Sequence, residues 1–179
     1  MNVVEINKYR PSIFRRGRFL TEDWTSVSQI GEEWNGKSLT ATDYLAVEDR
    51  YVRAARRFMA AAAVDALEIR GLESWREPEP HLRAVGLDLE DRPPPRDGDH
   101  LAGDELDDFL RRCLRELAWG ELVRPQDFLI HPGYDLRLVI ATTAETGDAE
   151  AATRQDGLYA YPGSGELATL EAWAVVRPG

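Results

Sequence analysis

The amino-acid sequence predicts a single α+β domain, in which two main helices pack on one face of a mainly antiparallel sheet. Two amphipathic stripes, over about residues 41–63 and 104–119, predict the helices. The last third of the chain instead holds short apolar segments separated by turn residues, which is typical of hairpins. Two such helices can cover one face of a sheet of about four to six strands. The length of 179 residues fits one domain, 1–179.

The first helix is the clearest element of the N-terminal half. A short strand at residues 2–6 and a loop with extended pieces at residues 11–38 precede it. Thr40 and Asp43 then form a capping-box-like start. Apolar residues recur behind it at helical spacing: Tyr44, Val47, Tyr51, Ala54, Ala55, Phe58 and Ala62. Glu48 lies close to this stripe, so we expect its carboxylate either at the helix edge or in a buried hydrogen bond.

A long loop is predicted between the two helices. Residues 66–69 have the pattern of a strand, but residues 74–100 are rich in proline and charge. Proline excludes a continuous helix or a central strand there. We therefore expect a loop over residues 74–100, with an edge strand at residues 85–89. Long ordered loops in compact domains are often functional.

The second helix is predicted from a regular apolar stripe, and Gly120 is expected to end it. The stripe consists of Leu106, Phe109, Leu110, Cys113, Leu114 and Leu117. Carboxylates fill the first turn, where the helix dipole favours negative charge. Cys113 is the only cysteine, which excludes an internal disulfide framework. Its place on the stripe indicates a buried, inert thiol.

Hairpin signals dominate the rest of the chain. The turn is expected at residues 131–133, a His-Pro-Gly sequence, and a polar loop at residues 143–156. Strands are predicted at residues 128–130, 136–141, 157–161 and 172–176. Leu136, Leu138 and Ile140 alternate with other residues, so one face of their strand belongs to the core.

The composition limits the classes of partner. The chain has 32 acidic residues against 22 lysines and arginines, which gives a formal net charge of −10. Such a field repels nucleic acid and anionic lipid and attracts basic proteins. The longest apolar run, residues 58–64, is far shorter than the roughly 20 residues that span a bilayer. We expect a cytoplasmic protein that binds neither nucleic acid nor membrane.

Charge is unevenly distributed along the sequence. Residues 1–20 form a basic segment, whose arginines we expect to pair with the protein's own carboxylates rather than with nucleic acid. Residues 86–108 hold nine acidic residues against two arginines. This acidic run is either a solvated face or a recognition patch for a basic partner. The candidate partner-binding residues are Asp88, Glu90, Asp91, Asp97, Asp99 and Trp75.

The sequence contains no catalytic or metal-binding motif. Three histidines, His81, His100 and His131, have no metal spacing, and neither a phosphate-binding glycine loop nor a nucleophile elbow is present. His131, near Asp135, is a general base only in principle, because a histidine at a hairpin tip is usually exposed. We expect no enzyme activity, no cofactor and no metal.

Several glycine, aromatic and apolar motifs together suggest a family. They are Trp24-Thr25-Ser26, Ile30-Gly31, Trp34-Asn35-Gly36-Lys37, Leu39-Thr40, Tyr44-Leu45-x-Val47-Glu48-Asp49-x-Tyr51-Val52, Leu114-x-Glu116-Leu117-Ala118-Trp119 and His131-x-Gly133-Tyr134-Asp135. Over roughly residues 24–52 and 109–141 the chain resembles small bacterial immunity proteins of polymorphic and contact-dependent growth inhibition toxin systems. The resemblance implies a cognate toxin domain as partner, without saying which one.

Two other functions are compatible with the sequence. One is a small-ligand-binding or hydrolytic domain that uses the hairpin side, which an apolar pocket with convergent polar groups would favour. The other is a structural subunit, suggested only by the tryptophans in or near loops, Trp24, Trp34 and Trp75. An immunity protein needs no active site, and an acidic one is steered towards basic nuclease-like toxins.

Overall fold

A seven-stranded sheet forms the centre of the fold, and every neighbouring pair of strands in it is antiparallel. The computed structural model describes residues 1–10, 14–15, 18–19, 23–77, 80–87, 89 and 93–163. Across the sheet the strands are β11 (Tyr159–Pro162), β1 (Asn2–Asn7), β10 (Arg137–Thr142), β9 (Phe128–Gly133), β8 (Ala118–Arg124), β6 (Ala66–Trp75) and β7 (His100–Ala102). Two small hairpins pair β2 (Phe14–Arg15) with β3 (Arg18–Phe19) and β4 (Glu33–Trp34) with β5 (Lys37–Ser38).

Four helices accompany these strands in the described part of the chain. They are α1 (Ala41–Ala61), α2 (Pro80–Ala84), α3 (Gly103–Leu114) and α4 (Gly147–Gln155). The apolar stripes of α1 and α3 pack into one core with the sheet. The predicted α+β class, with two main helices on one face of an antiparallel sheet, is therefore confirmed. None of the described helices combines the length and apolar character needed to cross a bilayer.

The core is built on a row of aliphatic residues that crosses five strands. The register places Ile69 opposite Leu122, Leu122 opposite Ile130, Ile130 opposite Ile140 and Ile140 opposite Val4. All five side chains are buried. Because side chains alternate along a strand, their sequence neighbours point to the other face of the sheet.

A buried ion-pair cluster joins α1 to the end of α3. Glu48 is completely buried, and Arg115 donates from Nε to its Oε1 (2.6 Å) and from Nη2 to its Oε2 (2.7 Å). Arg111 Nη1 donates to the same Oε2 (2.8 Å), and Arg115 Nη1 donates to the carbonyl of Leu87 (2.9 Å). Of the two positions that the sequence left open for this carboxylate, the buried one is correct.

The second helix is shorter than predicted. It ends at Leu114, and Glu116 adopts a left-handed φ of 60° that an α-helix does not accommodate. Gly120 lies inside β8 and does not end the helix. The prediction failed because Leu117, although beyond the helix, is also buried and therefore extends the apolar pattern.

Two predicted turns and strands lie elsewhere. The His-Pro-Gly sequence belongs to β9, and the chain reverses at residues 134–136, where Asp135 and Leu136 have φ of 60° and 54°. Residues 85–86 form a turn after α2 instead of an edge strand, and the strand at that edge is β7. Proline at residue 132 is tolerated in β9 because the register with β8 extends only to Ile130.

The C-terminal part contains a helix that the sequence did not reveal. The predicted loop over residues 143–156 includes α4, which has only two buried side chains, Ala149 and Thr153. So few buried positions give no clear helical period. The strand predicted at residues 157–161 is confirmed as β11, and the one at residues 172–176 lies outside the described residues.

The start of α3 offers a stability test. Its N-cap residue, Ala102, has extended backbone angles and supplies no side-chain hydrogen bond to the helix. Ala102→Asp should raise the free energy of unfolding by about 1 kcal/mol, because aspartate at this position accepts a free backbone N–H. Thermal unfolding measures the gain. Ala102→Asn should give a similar gain without added charge, and an unchanged melting temperature for both variants would contradict this view of the cap.

Candidate functional site

A polar groove lies on the face of the sheet opposite the helices. A row of side chains on that face crosses six strands in order: Tyr161, Glu5, Val139, His131, Glu121 and Arg70. A second row follows one pleat further on: Tyr159, Asn7, Arg137 and Gly133. We call the concave surface over these rows, lined among others by Glu5, Trp119, His131, Tyr134, Asp135 and Arg137, the polar groove.

Hydrogen bonds hold the carboxylates of this face in place. The hydroxyl of Tyr161 donates to Oε1 of Glu5 (2.7 Å), and Nδ1 of His131 donates to Oε1 of Glu121 (2.9 Å). Nε of Arg137 lies 4.0 Å from the same oxygen of Glu5. Burial and the bond to Glu5 both raise the pKa of the Tyr161 hydroxyl, so it stays protonated at neutral pH. The polar side chains on the floor of the groove are therefore held in place by hydrogen bonds and an ion pair.

Aromatic rings form one wall of the groove. Tyr134 stacks on Trp119, with ring centroids 4.7 Å apart and planes inclined by 21°. The ring of His131 meets Trp119 edge to face at 6.1 Å. Tyr134 is 73% exposed, so its outer ring face points into solvent. Large aromatic side chains in such positions are typical anchors of binding sites.

A hydrogen bond from a buried side chain holds the turn that carries Tyr134 in place. The hydroxyl of Tyr51, on α1, is fully buried and donates to the carbonyl of Leu136. The side chain of Leu136 is itself buried. Asp135 lies between Tyr134 and Leu136 in the turn and has a left-handed backbone conformation. The turn is therefore rigid on the inside while Tyr134 and Asp135 are exposed on the outside.

Gly133 keeps the groove open above Arg137. The two residues face each other across β9 and β10. A Cβ atom at Gly133 would lie 3.1 Å from Nε of Arg137 and 3.2 Å from its Cβ. Any side chain at this position would therefore require Arg137 to shift by a few tenths of an ångström.

The other end of the same sheet face is apolar. Val123, Leu129, Val139 and Ala141 form a separate buried cluster, against which Val3 packs. Val139 is also a member of the first row, so this buried cluster adjoins the polar groove, but none of its side chains lines the groove.

The sequence-predicted acidic patch is only partly described. Asp97 accepts the backbone N–H of Leu72 at Oδ1 (3.0 Å), and Asp99 accepts that of Arg96 at Oδ2 (2.7 Å). Both remain exposed, so they combine a structural role with surface charge. Asp88, Glu90 and Asp91 lie outside the described residues. Trp75 ends β6, and its side chain is also outside the description.

His131 does not lie where the sequence suggested. It was expected at an exposed hairpin tip beside Asp135, but it lies within β9, has 29% of its side chain exposed and pairs with Glu121. Sequence reasoning missed the groove because it misplaced this turn. The alternation of Trp119 and Glu121 with buried neighbours on β8 is the signal that could have indicated it.

Among the described residues, neither the cysteine nor the histidines and carboxylates provide a metal or thiol site. Cys113 is buried, and burial raises the pKa of its thiol far above the usual range. In the described ranges no three His, Cys, Asp or Glu residues lie close enough to hold a metal ion.

Two residues of the basic segment, Lys8 and Arg10, contact other side chains near the groove. Nζ of Lys8 lies 3.3 Å from Asp23 and 3.2 Å from the ring centroid of Trp24. Burial lowers the pKa of Lys8 to about 8, against the opposing effect of Asp23. Nε of Arg10 donates to the hydroxyl of Tyr159 (2.9 Å). Lys8 thus pairs with a carboxylate of its own chain and Arg10 meets a hydroxyl, whereas the arginines for which such pairing was predicted, Arg15, Arg16 and Arg18, have side chains outside the description.

Comparisons of the chain with protein-family models, with curated proteins and with solved structures found no match. The function is therefore inferred from the groove itself. The groove combines a stacked aromatic pair, ordered carboxylates and a rigid turn. The lining also holds the cations of Arg10 and Arg137 beside the carboxylates of Glu5 and Asp135, so the arrangement is suited to binding a polar group.

Proposed function

We propose that this protein is an immunity protein, which binds and neutralises a basic bacterial toxin domain through the polar groove. The observation that carries the proposal is the exposed stack of Tyr134 on Trp119 beside the carboxylates of Glu5 and Asp135. Aromatic side chains on a rigid support contribute much of the energy of protein–protein binding. The resemblance of the chain to immunity proteins points to the same class of partner.

The charge of the protein supports a basic partner. A net charge of −10 attracts a cationic domain and accelerates diffusional encounter, most strongly at low salt. Nuclease-like toxins that act on nucleic acid carry such positive surfaces. The acidic residues of the long loop are then expected to act on the association rate, whereas the groove makes the close contacts.

A second candidate function is a small-ligand-binding or hydrolytic domain. The pairing of His131 with Glu121 favours it, because a carboxylate orients an imidazole as a general base. The groove volume of about 360 Å³ is within the range of small-molecule sites. No serine, threonine or cysteine is among the described residues that line it. This function would depend on His131, whereas the inhibitor depends on Tyr134.

Reversal of acidic loop residues tests the encounter step. Changing Asp88, Glu90 and Asp91 to lysine should slow association with the toxin and flatten its salt dependence, because surface charges act chiefly on the association rate. Asp97 and Asp99 are left unchanged because they hold the loop backbone. The measurement is stopped-flow association at several salt concentrations, with the toxin domain encoded in the neighbouring reading frame.

The matched control reverses three exposed carboxylates elsewhere, Asp65, Glu145 and Asp148, and produces the same change in net charge. A specific acidic patch predicts a larger loss of rate for the loop variant than for the control. Equal rates for the two variants would mean that only the overall charge matters. If the neighbouring gene encodes no toxin that this protein binds, the immunity function is wrong and the ligand-binding candidate replaces it.

A further inference from the structure

The turn at residues 134–136 has the features of a recognition element for one cationic side chain. The carboxylate of Asp135 has no hydrogen bond or ion pair to any described residue, whereas Glu5 and Glu121 on the groove floor are both engaged. Tyr134 offers a free ring face next to it. An unpaired anion beside an aromatic face is complementary to a cation that has a flat surface.

We propose that Tyr134 and Asp135 bind an arginine side chain of the toxin, an assignment that rests on the proposed function. The guanidinium stacks on the outer face of Tyr134 and donates to the carboxylate of Asp135. Arginine fits better than lysine because its guanidinium is planar, stacks on aromatic rings and donates two parallel hydrogen bonds to one carboxylate.

The support beneath the turn makes this contact specific. Trp119 backs the inner face of Tyr134, and the buried hydroxyl of Tyr51 fixes the carbonyl of Leu136. Asp135 holds a left-handed φ of 60° within this turn. Because the turn is ordered before binding, little conformational entropy is lost when the arginine arrives.

Substitutions at the turn distinguish the contribution of the Asp135 charge from that of the Tyr134 ring. Asp135→Asn removes the charge, and asparagine tolerates a left-handed φ, so the backbone is kept. We expect a rise in the Kd for the toxin of about tenfold or more, as for a central interface residue. Tyr134→Ala should have a similar or larger effect. Tyr134→Phe keeps the ring and should bind like the parent.

The matched control is Glu116→Gln. Glu116 is also exposed and left-handed, with φ 60°, but lies outside the residues that line the groove. Its substitution removes one negative charge and should leave the Kd unchanged within about twofold, since an exposed charge away from the contact contributes little. Circular dichroism of each variant checks that the fold is retained.

A double-mutant cycle identifies the partner group. Each arginine of the toxin surface is replaced by alanine and by lysine, and Kd values are measured against the parent and Asp135→Asn proteins by calorimetry. One toxin arginine should lose most of its effect when Asp135 is already replaced. Absence of any coupled arginine, or coupling to a lysine instead, would overturn the assignment while the immunity function stands. If the parent protein does not bind the toxin at all, the proposed function fails as well.

Discussion

Leu110→Asp should unfold the domain. Leu110 is completely buried at the centre of the α3 stripe and belongs to the core that α1 and the sheet share. An unpaired carboxylate at this position loses its hydration, which costs several kcal/mol, a large part of the roughly 5–15 kcal/mol by which domains are stable. Thermal unfolding followed by circular dichroism should show no cooperative transition, or one at a much lower temperature. Leu114→Asp, at the same interface, should behave alike.

The control variant introduces an aspartate at the exposed start of the same helix. Ala102→Asp adds a carboxylate at the exposed N-cap of α3 and is expected to stabilise the protein. The two aspartates therefore have opposite predicted effects, which depend only on position. An unchanged melting temperature for Leu110→Asp would show that the α3 stripe does not face the core.

Glu48→Ala should destabilise the protein by about 3–5 kcal/mol, the range observed when one partner of a buried ion pair is removed. Arg115, which is 3% exposed in its side chain, would be left with a buried and uncompensated charge. Its remaining bond, to the carbonyl of Leu87, would be weakened together with the segment that Leu87 anchors. Urea unfolding measures the free energy.

Asp49→Ala is the matched control for this variant. Asp49 is the next residue on α1 and binds the same Arg111 at 2.7 Å, but its side chain is 47% exposed. Its removal should cost under about 1 kcal/mol, because solvent screens exposed ion pairs. Similar losses for the two variants would contradict the buried cluster as a main source of stability.

Local patterns predicted the fold class but not the exact ends of its elements. The stripe of α1 ends close to its predicted limit, because the helix ends at Ala61 and its C-cap, Ala62, is the last residue of the predicted stripe. The α3 stripe continued past its helix because Leu117, which follows the helix, is also buried. Periodicity reports which residues are buried, and it does not report whether the backbone between them is helical.

The polar groove could not be predicted from local sequence patterns. Alternation in β1 shows that Glu5 and Asn7 face away from Val4 and Ile6. It does not show that β1 lies between β10 and β11, which brings Glu5 to Tyr161 and Arg137. Strand order and register are set by long-range packing, so the site became visible only in the assembled sheet.

The central claim, that the polar groove binds the toxin, is tested most directly by hydrogen–deuterium exchange of the protein alone and in complex with the toxin domain. The backbone amides of the turn at residues 134–136 are expected to exchange more slowly in the complex, together with those around Trp119. This result would place the toxin on the aromatic wall of the groove. Protection confined to the helix face of α1 and α3, with unchanged exchange at residues 134–136, would contradict the claim.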